Sequence, residues 1–114
     1  MKKKLFVFAL VLFALVVGSA YAQSISPRAG IYYGSKGWPY PRILIGRPQS
    51  NNQYLVQFLD NMNNVQAEWT GRLNGRNEID VYEKGGWTTI KFTSSTSFTY
   101  RATVYDLAQD LSRN

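Results

Sequence analysis

The sequence predicts a small all-β domain, and three observations lead to that prediction. Short runs of alternating apolar and polar residues recur along the chain with the period of two that strand side chains have. Gly, Asn, Ser and Pro cluster between these runs, where turns are needed. Residues 23–114 contain little helical periodicity. Regularly spaced short strands joined by turns are typical of a barrel or sandwich, and we expect an antiparallel barrel of about six or seven short strands.

The N-terminus has the pattern of a secretory signal peptide. Three lysines precede an unbroken apolar run at residues 5–17, and Ala20-Tyr21-Ala22 fits a cleavage site. The run is shorter than the roughly 20 residues of a membrane-spanning helix. We therefore predict a signal peptide at residues 1–22, a single β-barrel domain at residues 23–114, and no membrane span after cleavage. Localisation is predicted to be periplasmic or extracellular.

Composition limits what the predicted domain can use. Cleavage would leave 92 of 114 residues, with ten Lys and Arg against seven Asp and Glu, a net charge of +3. This modest charge does not by itself favour nucleic acid as a partner. The chain has no Cys, so packing alone must stabilise the fold. With no Cys and no His, the usual nucleophilic triads and zinc ligands are absent, and we predict neither an enzyme nor a cofactor.

Each strand is predicted from its own residues. Residues 30–34 form a short aromatic strand bounded by glycines. Residues 38–41 are predicted to form an extended edge, because the prolines at 39 and 41 cannot donate hydrogen bonds to a sheet ladder. Residues 53–70 read as a hairpin whose Asn-rich turn suits left-handed backbone conformations. The predicted strands are residues 30–34, 42–46, 53–59, 65–70, 78–83, 87–93 and 98–105.

The C-terminal residues change character after the last predicted strand. Alternation across residues 98–105 would place Val104 with Phe98 on one face and Tyr105 on the other. Asp106 could then cap a short helix, with Leu107 and Leu111 packed against the barrel as a lid. A frayed end is the alternative.

Residues 36–73 resemble the Tudor/agenet group of SH3-like barrels. The resemblance rests on the Gly37-Trp38 entry to a strand, the YLVQFLD run at residues 54–60 and the polar turn into the next strand. Residues 81–90 are similar to bacterial SH3 domains, which also carry a Gly-Trp pair there. The resemblance implies an SH3-like barrel. It also implies that Trp38, Tyr40, Phe58 and Asp60 map onto an aromatic cage, a chemistry that suits a diffuse cation.

A ligand surface is predicted where Trp38 and Tyr40 lie between prolines, since we expect these aromatics to be partly exposed there. Arg42, Phe58 and Asp60 complete the predicted ligand-binding set. Trp69 alternates with polar neighbours and is predicted to be core.

The predicted function is non-enzymatic recognition of a peptide, protein or cell-wall glycan by an exported domain. The alternative is a small secreted inhibitor of a hydrolase, such as a lysozyme or a protease. Its reactive loops would be residues 47–52, 61–64 and 94–97. A third interpretation is a structural subunit whose edge strand pairs with copies of itself. The sequence leaves the oligomeric state open.

Overall fold

The computed structural model describes residues 24–83 and 85–112, which form one eight-stranded antiparallel sheet curled into a nearly closed barrel. The all-β prediction is confirmed. The described residues contain no α-helix and a single 3-10 turn at Ser50–Asn52. The strands are β1 Gly30–Gly34, β2 Arg42–Ile45, β3 Gln53–Leu59, β4 Val65–Arg72, β5 Glu78–Glu83, β6 Gly86–Ser94, β7 Ser97–Tyr100 and β8 Thr103–Asp110.

The strands follow one another around the barrel in chain order. Consecutive strands pair with one another, apart from β4 and β5, and β1 pairs with β8 to bring the two ends of the sheet together. The one interruption lies between β4 and β5, which are joined by a single bridge from Leu73 to Ile79. We call this interruption the seam. Its two edge strands approach closely at Gly71, where an added Cβ would lie 3.0 Å from the carbonyl oxygen of Asp80.

The interior of the barrel is filled by side chains from alternate strand positions. Period-two alternation directs them inward from both halves of the chain, and aromatic rings dominate. Phe98, for example, stacks on Tyr105 at 5.1 Å between centroids. The buried core consists of Tyr32, Tyr40, Ile43, Ile45, Tyr54, Val56, Phe58, Ile79, Val81, Ile90, Phe92, Phe98, Tyr100 and Tyr105.

Chain segments cross both ends of the barrel. At one end the backbone NH of Ile25 donates to Asn77 Oδ1 over 2.8 Å, and Ile25 packs against the core. At the other end Thr103 Oγ1 donates to the carbonyl of Trp38 over 2.6 Å, and the Tyr105 hydroxyl donates to the carbonyl of Tyr40 over 2.7 Å. These bonds hold residues 38–40, which include a cis Trp38–Pro39 peptide, across that end.

The described residues form eight strands, not six or seven, because the strand predicted at residues 98–105 is a hairpin. Arg101 and Ala102 both have positive φ, 49° and 62°, as the two central residues of a type I′ turn do. Tyr100 then pairs with Thr103, and this pairing reverses the predicted faces. Tyr105 is buried and Val104 is exposed, the opposite of a continuous strand running from Phe98.

The predicted C-terminal helix is wrong, since the chain continues as β8 through Asp110. Pairing with β1 accounts for this, because β8 supplies the ladder partners that β1 needs on its second edge. Leu107 pairs with Tyr32 and packs against the core from a strand. Asp106 accepts a hydrogen bond from the Ser97 hydroxyl instead of capping a helix.

Two other predictions are not decided by the fold. The predicted signal peptide at residues 1–22 lies outside the described residues. The SH3-like identity of the barrel stays a prediction.

The hairpin predicted at residues 53–70 is present as β3 and β4, with Leu59 opposite Val65 and an irregularity next to Phe58.

Candidate binding surface

The structure separates the two aromatics predicted to share an exposed edge. Trp38 is 61% exposed, whereas Tyr40 is buried, so the expectation of partial exposure is correct for Trp38 and wrong for Tyr40. The Tyr40 ring lies 4.8 Å from that of Phe58, its hydroxyl donates to Glu83 Oε2 over 2.7 Å, and its backbone carbonyl accepts from Tyr105. These contacts turn Tyr40 inward.

The remaining predicted site residues also point in different directions. Phe58 is fully buried between Tyr40 and Tyr100. The guanidinium of Arg42 lies 4.3 Å from the centroid of Tyr33, outside the barrel, and donates to Asn63 Oδ1 over 2.9 Å. Trp38, Tyr40 and Phe58 therefore do not line one open pocket.

Asp60 organises the turn between β3 and β4. Its Oδ1 accepts from the backbone NH groups of Met62 and Asn64, both over 2.8 Å. These bonds, with that of Asn64 first, lower the pKa of the Asp60 carboxyl below its ordinary value. The carboxylate thus stabilises its own loop, and Met62 protrudes from that loop with 77% of its surface exposed.

A buried carboxylate lies beneath residues 38–40. Glu83 accepts hydrogen bonds from the hydroxyls of Tyr40 and Tyr100, and Arg101 lies 3.6 Å away at the barrel rim. Burial, followed by the bond to Glu83, raises the pKa of Tyr40 to about 12. Both carboxylate oxygens of Glu83 accept hydrogen bonds at this end of the barrel, and the arrangement secures residues 38–40. We call Tyr40, Phe58 and Tyr100 the inner cluster.

A second group of three aromatics lies at the seam, on the outside of the barrel. Tyr82 and Trp87 are cross-strand partners on the outer face of β5 and β6, 43% and 67% exposed, with centroids 5.2 Å apart. Trp69 on β4 pairs with buried Val56 on β3. Its ring nevertheless reaches across the seam, with its centroid 5.7 Å from that of Trp87 and 6.2 Å from that of Tyr82. We call Trp69, Tyr82 and Trp87 the outer cluster.

Polar side chains border the outer cluster. A groove of about 300 Å³ runs along the seam beside the two tryptophans. Asp80 Oδ1 accepts from the Thr89 hydroxyl over 2.9 Å, which fixes one carboxylate oxygen. Among the described residues, none forms a hydrogen bond or ion pair with the Arg72 side chain or with the second oxygen of Asp80. The groove is lined by Trp69, Thr70, Gly71, Arg72, Asp80 and Trp87.

A larger cavity of about 440 Å³ lies at the end of the barrel away from residues 38–40, where residues 26–29 approach Arg47 and Ser112. Its two arginines are engaged: Arg28 forms a 2.7 Å ion pair with Asp110, and Arg47 donates to the carbonyl of Leu111 over 3.3 Å. These bonds tie the strand ends together. Within residues 24–83 and 85–112, no group of three or more His, Cys, Asp or Glu is placed to hold a metal ion.

The outer cluster is not among the predicted site residues, although part of the signal for it is present in the sequence. Alternation in residues 78–83 places Tyr82 outward, and the tight turn that follows makes Trp87 its cross-strand neighbour. The contribution of Trp69 was not accessible from local pattern. It was predicted as core, and it does pack against the core, but its contact with the other two rings depends on the closure of the barrel.

No protein-family model, curated protein or solved structure matches the chain. In the part of the chain that the structure describes, no helix is long and apolar enough to cross a membrane.

Proposed function

We propose that this chain is a non-enzymatic binding module and that it recognises its ligand through the outer cluster. One observation carries the proposal: Trp87 and Tyr82 expose large aromatic surfaces while their rings are held in contact with Trp69. Aromatic side chains dominate binding energy at recognition surfaces, and exposed apolar patches mark such surfaces on soluble proteins.

Rigidity strengthens this proposal. The three residues stand on β4, β5 and β6, and cross-strand pairing fixes Tyr82 against Trp87. Side chains already held in one arrangement lose little conformational entropy when a ligand docks, so more of the contact energy is available for affinity. An isolated exposed ring such as Trp38 lacks this support.

The barrel interior is a weaker candidate. Eight-stranded barrels either fill their interior with side chains or hold one small ligand there. Here the interior is occupied by the core aromatics, and residues 24–29 and 38–40 cross its ends. A ligand would therefore meet the outer surface first.

We further propose that the module is exported and meets a peptide, protein or glycan in the periplasm or outside the cell. The support is the N-terminal pattern of lysines, an apolar run and an A-x-A site. The resemblance to Tudor and bacterial SH3 barrels stays a prediction, as does ligand binding at the Trp38 edge. With Tyr40 and Phe58 buried, binding there would depend on Trp38, Arg42 and Asp60.

Nuclear magnetic resonance with ¹⁵N-labelled protein tests the proposal. The indole NH signals of Trp38, Trp69 and Trp87 report the two surfaces separately. We expect titration with a degenerate peptide mixture or with a panel of soluble oligosaccharides to shift the Trp69 and Trp87 signals and to leave that of Trp38 unchanged. Shifts confined to the Trp38 signal would favour binding at residues 38–42 instead. Absence of any shift with both ligand sets would contradict the proposed function.

A secreted hydrolase inhibitor is the second candidate, and the 61–64 loop is the observation that favours it. Asp60 fixes this loop while Met62 protrudes, as a segment inserted into an active site must. The other two proposed inhibitory loops, residues 47–52 and 94–97, lie at the opposite end of the barrel. Inhibition of a lysozyme or a protease that is lost in Met62→Asp, and retained in Trp87→Ala, would establish this function in place of the first.

A further inference from the structure

We infer that the ligand of the outer cluster is a glycan, one of whose pyranose rings stacks on Trp87 while its hydroxyls bond to Asp80 and Arg72. This inference rests on the proposed function and specifies its ligand class. It is drawn from the shape of the cluster, from the polar groups beside it and from the closure of the seam.

The shape of the cluster requires a ligand that lies on the rings, not between them. The three centroid separations, 5.2, 5.7 and 6.2 Å, are those of rings already in mutual contact. No space remains among them for an enclosed ammonium group, so the cluster is not a cation cage. What it offers is the open surface of Trp87, against which a flat, ring-sized ligand can stack. The polarised C–H bonds on one face of a pyranose complement the negative face of an indole.

The polar groups beside the ring suit a polyol. Adjacent sugar hydroxyls donate and accept, and the groove supplies both functions: a carboxylate oxygen on Asp80 that none of the described residues bonds, and the guanidinium of Arg72. Thr89 holds Asp80 in place through its other oxygen. One acidic and one basic group leave the groove without net charge, so it has no electrostatic preference for a strongly basic or acidic peptide.

The closure of the seam disfavours an added strand. A peptide that extends the sheet needs an open edge beside the aromatics. At the groove there is no room for a strand between β4 and β5, because an added Cβ at Gly71 would already lie 2.5 Å from Ile79 Cγ2 and 3.0 Å from the carbonyl oxygen of Asp80. The groove volume of about 300 Å³ is at the lower limit for small-molecule sites, a size that suits a sugar unit within a longer glycan.

Calorimetric titration with three soluble probes tests the inference: chitohexaose, cellohexaose, and glycan strands of peptidoglycan freed of their peptides. We expect at least one probe to bind the full chain, and Trp87→Ala to weaken that binding by about tenfold or more. Trp87→Phe keeps a ring and should retain most of the affinity. Asp80→Asn keeps the shape of the side chain and should weaken binding.

Trp38→Ala is the matched control, since it removes a similarly exposed indole away from the groove; it should leave sugar affinity unchanged. Melting temperatures of all variants establish that they fold. If peptides shift the NMR signal of the Trp87 indole while none of the three glycans binds at millimolar concentration, the glycan assignment is overturned and the binding function stands. Glycan binding that Trp38→Ala removes and Trp87→Ala retains would overturn both.

Discussion

The inner and outer clusters each contain three aromatic rings at similar separations, but they differ in almost every other respect. In the inner cluster Phe58 lies 4.8 Å from Tyr40 and 5.4 Å from Tyr100, and all three residues are buried. In the outer cluster the separations are 5.2 to 6.2 Å, yet two of the three residues remain exposed.

The difference arises from the face on which each side chain emerges. Inner-cluster residues occupy inward positions, and the hydroxyls of the two tyrosines donate to Glu83. Tyr82 and Trp87 occupy outward positions, and Trp69 joins them only because β4 is an edge strand at the seam. Contact between rings therefore does not by itself show whether a cluster stabilises the fold or binds a ligand. We expect substitutions in the inner cluster to affect unfolding, and those in the outer cluster to affect binding.

Phe58→Ala should show the largest effect. Removing a fully buried ring leaves a cavity between Tyr40 and Tyr100, and such truncations lower the free energy of unfolding by about 3–5 kcal/mol. Urea unfolding followed by circular dichroism measures the change. Phe58→Leu keeps most of the volume and should cost less than about 1.5 kcal/mol. Equal, small effects of both substitutions would contradict the assignment of Phe58 to the core.

Alkaline pH should destabilise the fold through the buried tyrosines. Burial is the largest cause that raises the pKa of Tyr32 and of Tyr40 to about 12, from 10.0. The unfolded chain releases these protons at lower pH than the folded chain does. The stabilisation is therefore complete below pH 10 and is lost as the pH rises towards 12, by about 1.4 kcal/mol per pH unit for each tyrosine.

The pH dependence of the urea midpoint between pH 9 and pH 12 checks this expectation. Tyr40→Phe removes one of the titrating groups, and its slope should be shallower than that of the parent chain. The same substitution leaves Glu83 with one donor fewer, so it should also lower stability at neutral pH. An unchanged slope would show that Tyr40 does not retain its proton in the folded barrel.

Much of the fold could be predicted from local pattern, because a strand with one buried face repeats every two residues. Six of the seven predicted strands lie within two residues of their observed bounds, whereas the seventh, predicted at residues 98–105, is divided between β7 and β8, and β8 continues to Asp110. That division could not be read from Arg101-Ala102, since neither residue type favours positive φ. At Asp106 and Leu107 the sequence fits a helix and a strand equally well, and only the pairing of β8 with β1 decides between the two.

The candidate site was less accessible from sequence. Prolines beside Trp38 and Tyr40 indicated an edge, but which ring turns inward depends on Glu83, which lies 43 residues further along the chain from Tyr40. The outer cluster combines residues of three strands across a seam that exists only once β1 and β8 have paired. Local alternation identifies outward positions and does not identify which of them meet.

Gly71→Ala should weaken the outer cluster by disturbing the seam. A Cβ at this position would meet Ile79 and the backbone of Asp80, and overpacking of this kind costs about 1–3 kcal/mol. Because β4 and β5 must separate, Trp69 should also move away from Tyr82 and Trp87. Loss of exciton coupling between the aromatic rings in circular dichroism measures that separation. A variant that is destabilised and yet retains the full exciton signal would show that the cluster does not depend on the approach of Gly71.

Trp87→Ala should have the smallest effect on stability. With 67% of its surface exposed, Trp87 contributes mainly its two ring contacts, with Trp69 and Tyr82, and at such exposure each pair lies at the lower end, about 0.5 kcal/mol, of what aromatic pairs contribute. The melting temperature should therefore fall far less than in Phe58→Ala, while ligand affinity at the groove falls by about tenfold or more. A fall as large as that of Phe58→Ala would mean that the outer cluster is a structural closure of the seam, and the distinction between a stabilising and a recognising cluster would not hold.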